Sequence, residues 1–353
     1  MADFRFGIAA AAAALIAASS PALAGPFSAD VVFGDSLSDT GNLADALQHN
    51  FPLPPFYHDS FTNGPVAVQV MAGLLGVPLS ASLFPTAGKD IYNLGLTPVG
   101  TNFAVAGSTA GNSFGQGVQG LNLVTQVGAF LQATGGIAPG SNLYTVFIGG
   151  NDVRAAAHKA DSKYVTDGIT AETAALKTLI ASGATNLLVV NVPDVGLIPE
   201  FTQGTPAGQA PAATAFSQSY DAQLASSVAA IAAANPTDNI KLFDLYSVNN
   251  AAIANASALG ITNTTDPCYS SYGGVTNNAP LVISPACGPI DPLTNQATNI
   301  GSFQYWDSIH PTAKVQAAFG NALYAFEVPE PASLALFGVG ALGLALVRRW
   351  RAG

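Results

Sequence analysis

The sequence predicts a three-layer α/β/α sandwich built around a five-stranded parallel sheet. Five short apolar runs, four of them closed by Gly or Pro, recur along the chain, and stretches with helical spacing separate most of them. Strands alternating with helices give a parallel sheet with cover on both faces. The runs are also apolar at nearly every position rather than at alternate ones, as strands buried on both sides must be. The 353 residues are 49% hydrophobic and only 9% charged, against about 25% charged in an average chain. With so much apolar sequence, the low charge does not indicate disorder.

The first run, Ala29-Asp30-Val31-Val32-Phe33, ends at Gly34. The second is Asn102-Phe103-Ala104-Val105-Ala106 before Gly107, and the third runs from Leu143 to Ile148 before Gly149-Gly150. The fourth, Asn186 to Val192, is stopped by Pro193, and the fifth is Ile240 to Leu245. Helices are expected over 164–183, where Leu176, Leu179 and Ile180 share a face, and over 211–234 and 248–259. A last helix is expected from Pro311 to Phe326, with Val315, Phe319, Leu323 and Phe326 at helical spacing and Pro311 suited to its first turn. Residues 262–302 break this rhythm with Gly, Pro, Asn, Thr and both cysteines, and read as a long ordered loop.

The two ends read as addresses. Residues 1–24 have the form of a signal peptide: Arg5, an apolar run from Phe6 to Ala18, and an Ala22-Leu23-Ala24 cleavage site. At the other end, Val328-Pro329-Glu330-Pro331 precedes an apolar run from Ala332 to Val347, expected as a short transmembrane helix, and then Arg348-Arg349-Trp350-Arg351. That order resembles the PEP-CTERM sorting signal. The resemblance implies recognition by a membrane-embedded exosortase, removal of the tail, and release to the envelope surface, an exopolysaccharide matrix or the exterior. An ordinary single-span anchor is the alternative, although 16 residues are short for a full bilayer. The body between them, 25–327, has seven basic and 19 acidic residues, a net charge of −12. Phosphate backbones repel such a surface, which excludes nucleic-acid partners. Four His and two Cys, none clustered, provide no metal or haem ligand set, and no cofactor is expected. In an exported protein Cys268 and Cys287 are expected as a disulfide, closing a loop of about 20 residues and contributing on the order of 3 kcal/mol.

In open α/β sheets functional groups gather at the carboxyl ends of strands. After the first run comes Gly34-Asp35-Ser36-Leu37-Ser38-Asp39-Thr40-Gly41-Asn42, with a hydroxyl at the turn. After the second sits Gly107, whose bare N–H can approach a substrate, and after the third Gly149-Gly150-Asn151-Asp152. Beyond the long loop, Trp306-Asp307-Ser308-Ile309-His310-Pro311-Thr312 places an acid three residues before an imidazole. These are the parts of acyl transfer: a serine activated by a base, a carboxylate that orients the base, and N–H donors for the oxyanion.

The four segments, in this order, resemble the blocks of the GDSL (SGNH) hydrolase family, and the likeness spans the body. The string Phe33 to Asn42 is similar to the bacterial lipase, phospholipase and acyltransferase branch. The resemblance implies a flavodoxin-like sandwich, with Ser36 as nucleophile, His310 as base and Asp307 as its partner. It also implies Ser36, Gly107 and Asn151 as the oxyanion hole.

Competing strings carry less. Gly111-Asn112-Ser113-Phe114-Gly115 matches a nucleophile elbow, but no strand leads directly into Ser113. Gly115-Gln116-Gly117-Val118-Gln119-Gly120 matches a dinucleotide fingerprint by letters, without the strand before it or the acid after it. His49, His58 and His158 read as surface residues. Asp35 reads as a brace for the turn, and Tyr57, Asp59 and Asp152 as candidates for the rim of the site. The expected function is secreted hydrolysis of carboxylic esters through an acyl-enzyme on Ser36. The alternatives are an acyltransferase with the same triad, or a non-catalytic matrix or surface protein.

Overall fold

The computed structural model describes residues 26–47, 56–82, 100–111, 121–204, 208–270 and 282–328. The expected signal peptide and the sorting tail beyond Val328 lie outside them, as do His49 and Ser113. The main elements are β1 (Asp30–Gly34), α1 (Asn42–Ala46), α2 (Ala67–Leu75), α3 (Leu123–Ala133), β2 (Leu143–Phe147) and α4 (Gly150–Lys159). Next come α5 (Lys163–Ala181), β3 (Asn186–Val190), α6 (Pro199–Thr202), α7 (Ala210–Ala234), β4 (Asn239–Phe243) and α8 (Leu245–Ala254). The short strands β5 (Asn263–Pro267), β6 (Tyr269–Ser270), β7 (Val282–Ile283), β8 (Ile290–Asp291), β9 (Gln296–Ala297) and β10 (Phe303–Tyr305) precede α9 (Ala313–Glu327).

Strands β1 to β4 form a fully parallel sheet in the order β1-β2-β3-β4. Alternate residues point to opposite faces, and each face has its own helical layer. Val31, Phe33, Tyr144, Val146, Leu187 and Val189 pack against α3, α4, α5 and α7. Val32, Leu143, Phe147, Leu188, Val190 and Phe243 pack against α2, α8 and α9. Burying a Phe or Leu on this scale stabilises by about 1.5–3 kcal/mol per side chain, and this double-sided burial is what the continuous apolar runs encode.

The fifth expected strand is only partly realised. Residues 101–105 run parallel to the free edge of β1, through Val32 N–H to the Thr101 carbonyl (3.0 Å), Phe103 N–H to Val32 (2.7 Å) and Val105 N–H to Gly34 (3.1 Å), but form an isolated bridge rather than a ladder. Counting this segment, the order along the sheet is 2-1-3-4-5. The switch point of that order, where a crevice opens, lies at the carboxyl end of β1.

The expected helix at 248–259 starts earlier, at Leu245, because the Asp244 side chain caps Ser247 N–H; a 3₁₀ turn follows at Ala256–Leu259. The last helix starts at Ala313 rather than in a turn containing Pro311, which instead bridges to Tyr305. Among the described residues, no helix is long and apolar enough to cross a membrane, and the expected span at 332–347 lies outside them.

Of the long loop, residues 262–270 and 282–302 are described, and the Cys268–Cys287 disulfide joins these two parts, with Cα atoms 5.3 Å apart and both residues fully buried. Cys268 N–H donates to the Tyr305 carbonyl (3.1 Å) and Tyr269 N–H to that of Trp306 (2.9 Å). Trp306 is fully buried against Tyr269 and Phe56. The loop thus forms a third small core that supports the residues immediately before Asp307.

Candidate active site

The turn after β1 is dictated by close packing and by two carboxylates. A Cβ at Gly34 would run into the carbonyl oxygen of Phe147 on the neighbouring strand, so only glycine lets β1 close against β2 here. Asp35 accepts from Leu37 N–H (3.0 Å), and Ser38 and Asp39 N–H both return to the Asp35 carbonyl. Asp35 therefore braces the turn, as its position suggested. Within the turn, the N–H groups of Leu37, Ser38 and Asp39 all have acceptors. That of Ser36 has none among the described residues.

Asp39 joins this turn to the next strand end. Its oxygens accept from Gly41 (2.9 Å), Asn42 (2.7 Å), Leu43 (3.2 Å) and Ala106 N–H (2.8 Å). Gly107 follows with φ 81. Ala106 N–H is taken by Asp39, and Ser108 N–H by the Val105 carbonyl. The intervening Gly107 N–H again has no acceptor among the described residues. Gln126 closes the back of the same turn, accepting from Gly34 N–H (2.9 Å) and donating to the Gly34 carbonyl (2.8 Å).

At the end of β2 the chain enters α4 through Gly149, with φ 105. A Cβ there would meet the Tyr220 ring at 2.6 Å, so both the conformation and the close approach call for glycine. Asn151 is buried in the first turn of α4, and its Nδ2 donates to the Ser108 carbonyl at 2.8 Å. Asp152 does not line the site directly. It holds the loop after Gly107 by accepting from Ala110 (2.8 Å) and Gly111 N–H (3.3 Å).

The fourth segment brings a carboxylate and an imidazole together. Asp307 Oδ1 accepts from Ile309 N–H (2.8 Å) and His310 N–H (2.7 Å), curling the chain so that the imidazole lies over its own carboxylate. His310 Nδ1 is 2.8 Å from Asp307 Oδ2 and 3.0 Å from Oδ1. Its Nε2 is 2.8 Å from Ser36 Oγ, across 274 residues of sequence. With the proton held on Nδ1 by Asp307, Nε2 is left to accept from the Ser36 hydroxyl. Ser36, Asp307 and His310 are each no more than 8% exposed. The Phe61 ring lies 5.5 Å from the imidazole, and Thr62 Oγ1 donates to the Pro311 carbonyl (2.9 Å). The 56–62 loop therefore walls the site, with Asp59 at φ 64 and Tyr57 in the same turn. His58, also at positive φ, is exposed and stacks edge-on against Tyr57.

The surroundings hold several perturbed acids. Burial pushes Asp35 and Asp39 up to about 6, and Asp152 to about 7, despite the N–H groups that each accepts. Glu200 behaves oppositely. Burial would raise it, but the hydrogen bonds and charge of Arg154 dominate and hold it at about 2. Among the described residues, no group of three or more His, Cys, Asp or Glu is placed to hold a metal ion.

Sequence reasoning missed Arg154, Glu200, Gln126 and the tether role of Asp39. Arg154 follows Asn151 by three residues on α4, a spacing that could have drawn attention to it. Nothing local marks Glu200 or Gln126. His158, read as a surface residue, is exposed and lies 3.3 Å from Glu200.

Two family models match the chain: the PEP-CTERM protein-sorting motif over residues 327–349, and the GDSL-like lipase/acylhydrolase over residues 31–323. Similar proteins include the phosphatidylcholine-sterol acyltransferase of Aeromonas hydrophila, 27% identical over 85% of this chain and 90% of that protein. Lipase 1 of Photorhabdus luminescens is 30% identical over 49% of this chain, a match that spans only 23% of the relative. A GDSL esterase/lipase of Arabidopsis thaliana is 25% identical over 83% of this chain and 85% of its own length. A family match that runs from the first strand almost to the end of the last helix, over the α/β sandwich described above, makes this chain a member of the GDSL-like lipase/acylhydrolase family.

Proposed function

We propose that the body, residues 25–327, is an exported serine hydrolase that cleaves carboxylic esters through an acyl-enzyme on Ser36. The observation that carries this reading is the unbroken chain Asp307–His310–Ser36, whose two links are each 2.8 Å long. A serine hydroxyl becomes nucleophilic only when a base accepts its proton, and Nε2 of His310 is within reach of that proton. Oγ bonds to the ester carbonyl carbon while its proton passes to Nε2. The tetrahedral oxyanion lies against the N–H groups of Ser36 and Gly107 and the Asn151 amide. Collapse expels the alcohol, which takes the proton from His310. Water then repeats the sequence on the acyl-enzyme and releases the carboxylic acid.

The sorting motif at 327–349 supports export, processing by an exosortase-type enzyme, and a final place at the envelope surface, in an exopolysaccharide matrix or outside the cell. In that scheme residues 1–24 are the signal peptide and 328–353 the removable tail. A second reading keeps the same triad and passes the acyl group to an alcohol instead of water; similarity to an acyltransferase over most of both chains favours it. The assay is hydrolysis of p-nitrophenyl esters of rising chain length, with a fluorophosphonate probe beside it. Ser36→Ala is expected to abolish turnover and labelling, and Ser113→Ala to leave both. Labelling that survives the first change and vanishes with the second would overturn the assignment. Faster p-nitrophenol release on adding a long-chain alcohol, with ester as product, would select the acyltransferase.

A further inference from the structure

An asparagine in an oxyanion hole has a problem that a backbone N–H does not. Its side chain ends in two groups of similar size and opposite polarity, and rotation by half a turn replaces a donor with an acceptor. With Oδ1 facing the substrate, the amide would repel the charge it is meant to stabilise. Something must distinguish the two orientations.

In this chain the discrimination is made at both ends of the Asn151 amide. Arg154 Nη1 donates to Asn151 Oδ1 at 2.8 Å, and a guanidinium has no acceptor to offer the flipped form. On the other side Asn151 Nδ2 donates to the Ser108 carbonyl at 2.8 Å, which has no donor to offer it. One Nδ2 hydrogen is used by Ser108. The second remains for a ligand.

Arg154 is itself fixed. Its Nε is 2.6 Å from Glu200 Oε2 and its Nη2 is 2.7 Å from Glu200 Oε1, a two-point fork that sets the plane of the guanidinium. The side chains are only 13% and 22% exposed. Burial works against the Arg154 cation, and Glu200 more than offsets it. Glu200 sits on α6, and its backbone N–H donates to the Ser308 carbonyl at 2.9 Å, inside the segment that carries Asp307 and His310. The helix bearing Asn151 and the turn bearing the base are thereby tied through one partly buried ion pair.

We infer that Arg154, held by Glu200, is a positioning residue for the Asn151 amide: it locks the donor end toward the oxyanion and polarises it for the charge that develops there. This rests on the reading of Asn151 as an oxyanion donor. A group that acts only as charge builds up lowers kcat when removed and leaves KM largely alone.

The test is a double-mutant cycle on the whole body, with kcat normalised by active-site titration and folding checked by thermal unfolding. Asn151→Ala is expected to lower kcat by about 10²–10³-fold. Arg154→Met is expected to lower it by about tenfold to a hundredfold with KM nearly unchanged, the scale of a misplaced reacting group. Arg154→Lys retains a cation beside Glu200, which protects folding, but loses the fork, so it should show a loss of similar kind. In the Asn151→Ala background either Arg154 change should cost little more, because its target is gone. Full kcat in both Arg154 variants, beside an impaired Asn151→Ala, would overturn the positioning role alone. Additive losses in the double variant would also overturn it, placing the effect on the His310 side through Glu200 and Ser308. An unimpaired Asn151→Ala would instead remove the oxyanion assignment on which the inference stands.

Discussion

Replacing Asp307 by asparagine changes one oxygen to an NH₂ and almost nothing else, so its consequences can be worked from the hydrogen bonds. Oδ1 of Asp307 accepts from two backbone N–H groups, the partly buried one of Ile309 and the buried one of His310, at 2.8 and 2.7 Å. The introduced amide must keep its carbonyl there, because turning the NH₂ inward would leave both N–H groups unsatisfied at about 1–3 kcal/mol each. The NH₂ is then fixed where Oδ2 stood, 2.8 Å from His310 Nδ1. Two donors cannot face each other at that distance. The imidazole must present a lone pair at Nδ1 and carry its proton on Nε2, pointing at Ser36 Oγ. In that tautomer it cannot take the serine proton.

The expected loss is therefore that of the base rather than of a brace: a fall in kcat of about 10⁴-fold, or roughly 5.5 kcal/mol at 1.36 kcal/mol per decade. KM should change little, and the thermal midpoint should move by no more than a few degrees, since both backbone acceptor bonds survive. Asp307→Ala removes those acceptors as well and should lower both activity and stability. The assay is steady-state hydrolysis of a p-nitrophenyl ester, with the rate of fluorophosphonate labelling as a second measure of Ser36 nucleophilicity. An Asp307→Asn protein with kcat within tenfold of the original would refute the tautomer argument, and with it the role given to this pair.

Further outcomes follow from other parts of the structure. Reducing the Cys268–Cys287 disulfide should lower stability on the order of 3 kcal/mol and, because the loop buttresses Tyr305 and Trp306, should also lower kcat; unchanged thermal unfolding with and without reductant would contradict this. Glu172, fully buried with Tyr220 Oη donating to one oxygen at 2.6 Å and the other oxygen without a partner among the described residues, is pushed up to about 8 by burial, reinforced by Asp152 and Asp221. The folded protein thus holds a proton that the unfolded chain releases above about 4.3. That contribution to stability is complete below the unfolded value and is lost as pH rises toward 8. Glu172→Gln should flatten the fall in unfolding midpoint between about pH 5 and 8, and an identical slope in the variant would reject the assignment. Protein recovered outside the cell should end near Pro329–Pro331 by intact mass; a species that keeps residues 332–353 would leave a simple anchor in place of the sorting tail.

What could be read from the sequence was what a few contiguous residues encode. A strand end and the turn after it are local events, so Gly34–Asn42, Gly149–Asp152 and Trp306–Thr312 could be singled out as candidates, and the structure brings Ser36, His310 and Asp307 into hydrogen-bonding contact. What was not legible depends on partners far apart in the chain. Glu200 is 46 residues from Arg154, Gln126 is 92 from Gly34, and Thr62 is 249 from Pro311. No periodicity marks such pairs, since each is chosen by the packing of two elements.

The second apolar run shows how the two kinds of information meet. Its composition is that of a strand, and its inner edge does pair with β1. Its outer side meets the backbone only at Asn102, through Ser80 and Ser82, and beyond that it is taken by side chains. Asn42 Nδ2 donates to the carbonyls of Asn102 and Ala104, each at 2.8 Å, and Asp39 captures Ala106 N–H. A longer ladder is therefore given up, and the chain turns at Gly107 under the control of a carboxylate only three residues past Ser36. Because that one carboxylate holds the turn after Ser36 and the turn before Gly107 together, the N–H groups of Ser36 and Gly107, without acceptors among the described residues, cannot drift apart independently. The end of the strand and the link between these two turns thus depend on the same carboxylate.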